Sequence, residues 1–119
     1  MSELSLLRDL RVLSKKVYFI SLTFPIDERF NTTSQMKRAV ISVRLNVREG
    51  NVFYDKRKNT HFERALGSLH EVDECMLIAN EFNWISDESF NDYRDIYWLV
   101  LNKLKKLIQS LNSNSQRSD

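Results

Sequence analysis

Glycine, proline and cysteine are scarce in this chain of 119 residues, which contains two glycines, one proline and one cysteine. Folds rich in β-structure need many tight turns, and tight turns need glycine. The shortage therefore argues against such folds and favours long helices with few connections. The single cysteine, Cys75, excludes an internal disulfide and a cysteine-cluster metal site, and it suits a reducing cytoplasm. The composition indicates one α-helical domain, long enough to bury a core without a disulfide or a structural metal.

Long apolar runs are also missing from the sequence. A membrane-spanning helix needs about 20 predominantly apolar residues, and no segment approaches that length. Residues 1–4 lack the basic start and the long apolar segment of a signal peptide. From these absences we expect a cytoplasmic protein without a membrane partner.

Apolar residues recur at alternating steps of three and four in four segments, which places them on one stripe of a helix. With the flanking capping residues, this pattern predicts helices over residues 3–23, 32–54, 60–83 and 86–112, the last two beginning at Thr60 and Ser86. Short loops between them predict an all-α fold, an antiparallel up-down-up-down four-helix bundle, over residues 1–112. Residues 113–119 contain no apolar side chain, so we expect a disordered C-terminal tail there.

The second predicted helix is apolar on more than one side. Ile41, Leu45 and Val52 form a second apolar edge beside its main stripe. Such a helix usually contacts two neighbours or a partner subunit. Gly50 and Gly67 are interpreted as points of close helix approach, because neither lies in a glycine-rich phosphate-binding loop.

Charge is unevenly distributed along the chain, although its net value is only +2. Residues 37–58 contain seven basic and two acidic residues, a net charge of +5, whereas residues 60–83 contain one basic and five acidic residues, a net charge of −4. The basic residues of the first segment are Lys37, Arg38, Arg44, Arg48, Lys56, Arg57 and Lys58. Lys37, Arg44 and Arg48 lie on one helical face, where arginines could bind phosphates with two hydrogen bonds each. The alternative is a solvated face, or a contact between the basic second helix and the acidic third helix of two subunits.

Aromatic residues are not interleaved with these basic residues, apart from Phe53 and Tyr54. Stacking of bases on aromatic rings is the usual way of binding single strands. The sequence therefore favours binding of a phosphate backbone over sequence-specific reading of a single strand.

Four polar residues lie among the apolar residues of the second and third helices, namely Asn46, Glu49, Ser68 and Glu71. Two interpretations are open. Paired carboxylates are typical of acid–base chemistry, whereas a buried hydrogen-bond network would fix the register of the bundle, and we favour the second. His70 and Glu74 are four residues apart and could share a metal ion, but His61 lies on nearly the opposite side of an ideal helix. No helical metal motif is present, so we expect no metal and no cofactor.

Longer motifs run through nearly the whole chain. The densest are Phe24-Pro25, Glu28-Arg29, residues 33–40, Ser42, Asn46, Glu49-Gly50, Phe62, residues 65–69 and Glu71. Together they resemble the 23S rRNA intervening-sequence proteins. That family usually reads Ser-Ile-Pro-Ala-Asn-Ile-Ala-Glu-Gly where this chain has residues 42–50. Here the proline is absent and Arg44 and Arg48 occupy two small or apolar positions, so we expect a straighter helix.

The resemblance implies a left-handed antiparallel bundle that assembles as a homo-oligomeric ring, a pentamer, in bacteria. It implies no catalytic activity, and RNA binding is the leading proposal for the family. A related branch serves as an accessory protein of retroelements and binds nucleic acid and a reverse transcriptase.

The charge pattern and the resemblance together predict a non-enzymatic protein that binds RNA or another polyanion through its second helix and residues 55–59. The alternative prediction is a protein-interaction scaffold, such as an accessory subunit of a reverse-transcriptase system. An enzyme or a metal protein is the third and least favoured interpretation.

Overall fold

Four α-helices and one 3-10 turn make up the structure, a computed structural model that describes residues 3–117. The helices are α1 (Glu3–Ser21), α2 (Thr32–Gly50), α3 (Lys56–Glu81) and α4 (Asp87–Arg117), and the 3-10 turn is Ile26–Glu28. Each helix packs against its neighbours in the order α1–α2–α3–α4, and α4 closes the set against α1. This arrangement confirms the predicted antiparallel four-helix bundle.

The predicted stripes form the core of the bundle. All four helices contribute side chains with no exposed surface, among them Leu10, Val43, Leu69 and Leu104. Burial of side chains of this size stabilises a fold by roughly 1.5–3 kcal/mol each. The helices therefore form because their apolar stripes meet, and the polar residues between the stripes remain outside.

The start of α3 differs from the prediction. Thr60 was expected to cap this helix, but α3 begins four residues earlier, at Lys56, and Asp55 is its N-cap. An Asp55 oxygen accepts a hydrogen bond from the backbone N–H of Arg57 at 3.0 Å, whereas the Thr60 hydroxyl donates to the Lys56 carbonyl inside the helix. Aspartate is as good a cap as threonine, and lysine and arginine favour helices, so the polar segment 56–59 is helical.

The helix α2 begins at Thr32, as predicted, but without a side-chain cap. Asn31 is the N-cap residue and makes no capping hydrogen bond through its side chain. Thr32 instead donates its hydroxyl to Glu28 Oε1 at 3.0 Å. This bond ties the first turn of α2 to the 3-10 turn before it.

Both ends of α4 can be compared with the prediction. Ser86 Oγ accepts a hydrogen bond from the Ser89 backbone N–H at 3.1 Å, which confirms Ser86 as its cap. At the other end the helix continues to Arg117, so residues 113–117, expected to belong to a disordered tail, are helical. No proline or glycine follows Leu111 to stop the helix, and extending an existing helix costs little. Residues 118 and 119 lie outside the described part of the chain.

Of the two glycines, only one has a neighbour at close range. A Cβ at Gly50 would lie 2.7 Å from a ring atom of Phe62, which is fully buried, whereas a Cβ at Gly67 would meet nothing within 4 Å. The expectation of close helix approach therefore agrees with the structure at Gly50 and is wrong at Gly67. Within residues 3–117, no helix has both the length and the apolar character of a membrane span.

Candidate functional site

An open groove runs along the outer surface between α1 and α2. Two adjoining cavities of about 400 and 300 Å³ form it, and they share Ile41 and Arg44. The residues that line it, which define the α1–α2 groove, are Leu7, Arg11, Ser14, Lys15, Tyr18, Phe19, Ile41, Arg44, Leu45 and Arg48. The groove combines apolar and cationic side chains.

Three residues of the predicted basic face lie along this groove. Lys37 Nζ lies 5.3 Å from the centre of the Tyr18 ring, and Arg44 donates a hydrogen bond from Nη1 to Ser14 Oγ at 3.2 Å. Arg48 lines the cavity of about 300 Å³. The face predicted from helical spacing therefore turns towards α1, as a contiguous surface of the folded chain.

The first helix adds two cations that the sequence argument did not include. Arg11 lies in the same cavity as Arg48, and Lys15 lies in the same cavity as Arg44. They were missed because charge along a single helix does not indicate which residues of a neighbouring helix lie opposite, and α1 packs antiparallel to α2 with its own charges beside those of α2. Their spacing of four residues on α1 is the signal that could have revealed them.

No carboxylate lies among the described residues that line the groove. Two acidic residues of α1 and α2, Asp9 and Glu49, have partners on α4 and α3. Asp9 on α1 binds Lys103 of α4, and Glu49 on α2 approaches His61 of α3. The positive charge of the groove is therefore not neutralised by adjacent acids, and phosphate oxygens are suitable counter-charges for it.

The remaining predicted basic residues lie elsewhere. Arg57 bonds both oxygens of Asp55, with Nη2 at 2.8 Å from Oδ2, and its guanidinium lies 4.1 Å from the centre of the Phe53 ring. Hydrogen bonds from the Arg57 side chain and backbone lower the pKa of the Asp55 carboxyl to about 2, and the same side chain contact raises the pKa of Arg57. Arg57 is therefore already held by a carboxylate of its own chain.

Its two neighbours in sequence have different surroundings. Lys58 donates to the Gly50 carbonyl at 3.3 Å, at the C-terminal end of α2, and Lys56 is exposed. Arg38 is exposed on α2. The seven predicted residues therefore separate into Arg44 and Arg48, which line the groove, Lys37, which lies beside it near the Tyr18 ring, and four residues elsewhere.

The comparisons with known proteins concern the whole chain. A family model described as 23S rRNA-intervening sequence protein matches residues 2–110. The chain belongs to this family. A search of curated proteins finds no match.

A crystal structure from Bacteroides thetaiotaomicron, of a protein with unknown function from the S23 ribosomal protein family, has a similar fold. Its TM-score is 0.82 at 14% sequence identity, over 92% of this chain and 99% of that one. At this identity, the likeness is one of fold.

Arg44 and Arg48 are two of the positions at which this chain differs from the sequence pattern given above. Both lie in the α1–α2 groove. The missing proline leaves α2 as one uninterrupted helix from Thr32 to Gly50. The departure therefore adds positive charge to the surface that carries the other groove cations.

The predicted polar cluster is present in part, between α2 and α3. The hydroxyls of Ser42 and Ser68 are 2.8 Å apart, and Asn46 donates from Nδ2 to the Ser42 carbonyl and hydroxyl at 3.0 and 3.2 Å. His61 Nδ1 lies 3.1 Å from Asn46 Oδ1 and 3.3 Å from Glu49 Oε2. Both neighbours accept hydrogen bonds, so Nδ1 is the nitrogen that carries the proton.

Glu71 is exposed and takes no part in this network. The two predicted carboxylates, Glu49 and Glu71, are not brought together, and the network joins mainly hydroxyl, amide and imidazole groups. This arrangement agrees with a network that fixes the pairing of α2 with α3. Ser42 and His61 were missed as its members, although Ser42 precedes Asn46 by one helical turn.

A second polar cluster lies between α3 and α4 and was not predicted. The Tyr93 hydroxyl donates to Asp73 Oδ1 at 2.8 Å, and Arg94 Nη2 donates to Asp73 Oδ2 at 2.7 Å. Burial, followed by the Asp73 charge, raises the pKa of Tyr93. The signal in the sequence is an aspartate directly beside Val72 of the apolar stripe, a position where a carboxylate needs a partner.

Metal-ligand chemistry has no candidate in the described part of the chain, because no three His, Cys, Asp or Glu side chains lie close enough to share an ion. Cys75 is buried, and burial raises the pKa of its thiol to about 11, with smaller contributions from Glu71 and Glu74. A thiol with this pKa is almost fully protonated at neutral pH and is a poor nucleophile.

Proposed function

We propose that this member of the 23S rRNA-intervening sequence protein family is a non-enzymatic protein that binds RNA or another polyanion through the α1–α2 groove. It acts as a homo-oligomeric ring in the bacterial cytoplasm. One observation carries the proposal: five cations lie on this surface, with no carboxylate among its lining residues. They are Arg11, Lys15, Lys37, Arg44 and Arg48.

Phosphate binding needs cations held at a surface and open to solvent. Arg44 and Arg48 are both exposed, and Arg44 is oriented by its bond to Ser14. A guanidinium can bind a phosphate with two parallel hydrogen bonds, and each phosphate contact releases counterions from the nucleic acid. The groove cations therefore bind the phosphate backbone of the nucleic acid.

Assembly into a ring is supported by apolar side chains that the chain leaves uncovered. Val52 and Phe82 are each 65% exposed and lie outside the groove lining, and Val52 belongs to the second apolar edge predicted from the sequence. Exposed apolar surface of this kind often belongs to an interface. Several copies in one ring would present several cationic grooves to one polyanion, which raises the apparent affinity.

The test measures binding of a structured RNA to the variant Arg44→Glu/Arg48→Glu by filter binding at several salt concentrations. We expect affinity at least about tenfold weaker, because two attractive contacts become repulsive. The slope of log K against log salt should become shallower by about 1.4–1.8, since each lost contact removes about 0.7 on a single strand and about 0.9 on a double helix.

The matched control is Lys105→Glu/Lys106→Glu, which makes the same change of charge on exposed positions of α4. Its binding should fall much less, because only the long-range field changes. If both variants lost the same RNA affinity, the cause would be net charge and not the groove, which would contradict the proposal. Unchanged RNA affinity of the groove variant would also contradict it. Light scattering on the same samples gives the mass, and a monomer would contradict the ring.

A protein-interaction scaffold, such as an accessory subunit of a reverse transcriptase, is the second candidate. It is favoured by the exposure of Ile41 and Leu45 between the cations of α2. These side chains offer apolar contacts that phosphates do not use. Replacing both residues by serine should strongly weaken binding of a protein partner and leave the salt dependence of RNA binding unchanged.

A further inference from the structure

We infer that the α1–α2 groove prefers single-stranded nucleic acid to a duplex, and that Phe19 is the ring on which a base stacks. The inference rests on the proposed function, because the groove cations must first hold the phosphates. It concerns the aromatic and apolar side chains that lie between those cations.

Phe19 is the most exposed aromatic side chain of the groove. It is 71% exposed, and it borders the cavity of about 400 Å³ together with Lys15 and Arg44. On its other side it borders a smaller cavity of about 250 Å³ towards α4. The ring is thus an apolar surface open to solvent with cations beside it, which is the combination that binds single strands without regard to sequence.

The structure changes an expectation from the sequence at this point. Sequence-specific reading of a single strand was disfavoured because, apart from Phe53 and Tyr54, no aromatic residues are interleaved with the basic residues of segment 37–58. The packing of α1 against α2 brings Tyr18 and Phe19 to those cations, with Lys37 lying over the Tyr18 ring. Since Lys37 covers a face of Tyr18, Phe19 is the ring left available for a base.

The lining of the groove also argues against duplex binding. Ile41 and Leu45 are 43% and 56% exposed and offer no hydrogen bonds to base edges. In a duplex the faces of the bases are stacked on each other, so these side chains and Phe19 would gain no contact. An unpaired base can bury its face against them, while its phosphates remain near Arg44 and Arg48.

The experiment measures fluorescence anisotropy with two labelled probes, a 20-nucleotide oligo(U) RNA and a 20-base-pair RNA duplex. Wild-type protein should bind oligo(U) more tightly than the duplex. Phe19→Ala should weaken oligo(U) binding about tenfold and leave duplex binding unchanged, because stacking on a ring contributes only to the single strand. Phe19→Trp should restore the oligo(U) affinity.

The matched control is Phe30→Ala, which removes an aromatic ring that is 89% exposed and lies outside the groove lining. It should change neither affinity. Both phenylalanines are exposed, so neither variant disturbs the core, and circular dichroism should give the same helix content for both.

Four outcomes would overturn the inference. Duplex binding as tight as oligo(U) binding, or unchanged oligo(U) binding by Phe19→Ala, removes it while the proposed function survives if Arg44→Glu/Arg48→Glu still binds weakly. If no groove variant loses affinity for either RNA, both the inference and the proposed function are wrong. A labelled acidic amphipathic peptide that binds through Phe19 when neither RNA binds would assign the groove to a protein helix instead.

Discussion

At the residue scale, Asp73 holds the least replaceable polar contacts of the bundle. It is buried, and it accepts hydrogen bonds from Tyr93, which has no exposed surface, and from Arg94. The Arg94 guanidinium also lies 5.3 Å from the centre of the Phe90 ring and 5.5 Å from that of Trp98. One carboxylate therefore fixes both a buried hydroxyl and a cation that packs against aromatic rings.

Asp73→Ala should lower the free energy of unfolding by about 2–4 kcal/mol, because it leaves a buried hydroxyl and a largely buried guanidinium without an acceptor. The matched control is Glu74→Ala at the next, exposed position of α3, which should change it by less than about 0.5 kcal/mol. Urea unfolding followed by circular dichroism measures both. Equal stability of the two variants would show that Asp73 holds nothing in place.

The positions of single residues were predictable where they follow from spacing within one helix, and less so where they depend on contacts at a helix end. Arg44, Arg48 and Lys37 were placed on one face by helical spacing alone, and their contacts with α1 agree with that placement. The pairing of Arg57 with Asp55 was missed, since it depends on the cap of α3 that was assigned to Thr60 instead. Contacts within one helix follow from spacing, whereas contacts at its ends require the correct boundary.

At the scale of single helices, the close packing of α2 on α3 depends on Gly50. A methyl group there would lie 2.7 Å from the Phe62 ring, which is fully buried. Gly67, in the middle of α3, has no neighbour within 4 Å of such a methyl group. The two glycines provide a matched pair with opposite expectations.

Gly50→Ala should destabilise the protein by about 1–3 kcal/mol through overpacking against Phe62. Gly67→Ala should stabilise it by about 0.5–1 kcal/mol, because alanine favours a helix where nothing obstructs it. Thermal unfolding of the two variants against the wild type measures both. Stabilisation by Gly50→Ala would mean that the helices are not in contact at that point.

The helices themselves were predictable and their ends less so. The three-and-four spacing of apolar residues determined the number and order of helices, since burial of a stripe outweighs local preference. The first turn of α3 and the end of α4 were missed, because residues 56–59 and 113–117 have no apolar periodicity and are helical only by extension of a helix already formed.

At the scale of the whole molecule, the account depends on the alignment of two antiparallel helices. The helix α2 carries cations and exposed apolar side chains but no aromatic residue, and the open ring of the groove comes from α1. Only their packing places Lys15 and Phe19 beside Arg44. The sequence could not give this arrangement, because no pattern within either helix specifies which residues of the other lie opposite.

The central claim is that nucleic acid lies in the α1–α2 groove, and photo-crosslinking tests it most directly. The intact protein would be irradiated with oligo(U) containing 4-thiouridine, and the crosslinked peptides would be identified by mass spectrometry. The account predicts crosslinks within residues 7–19 of α1 and 37–48 of α2. Crosslinks confined to residues 56–58, to α3 or to α4 would contradict it.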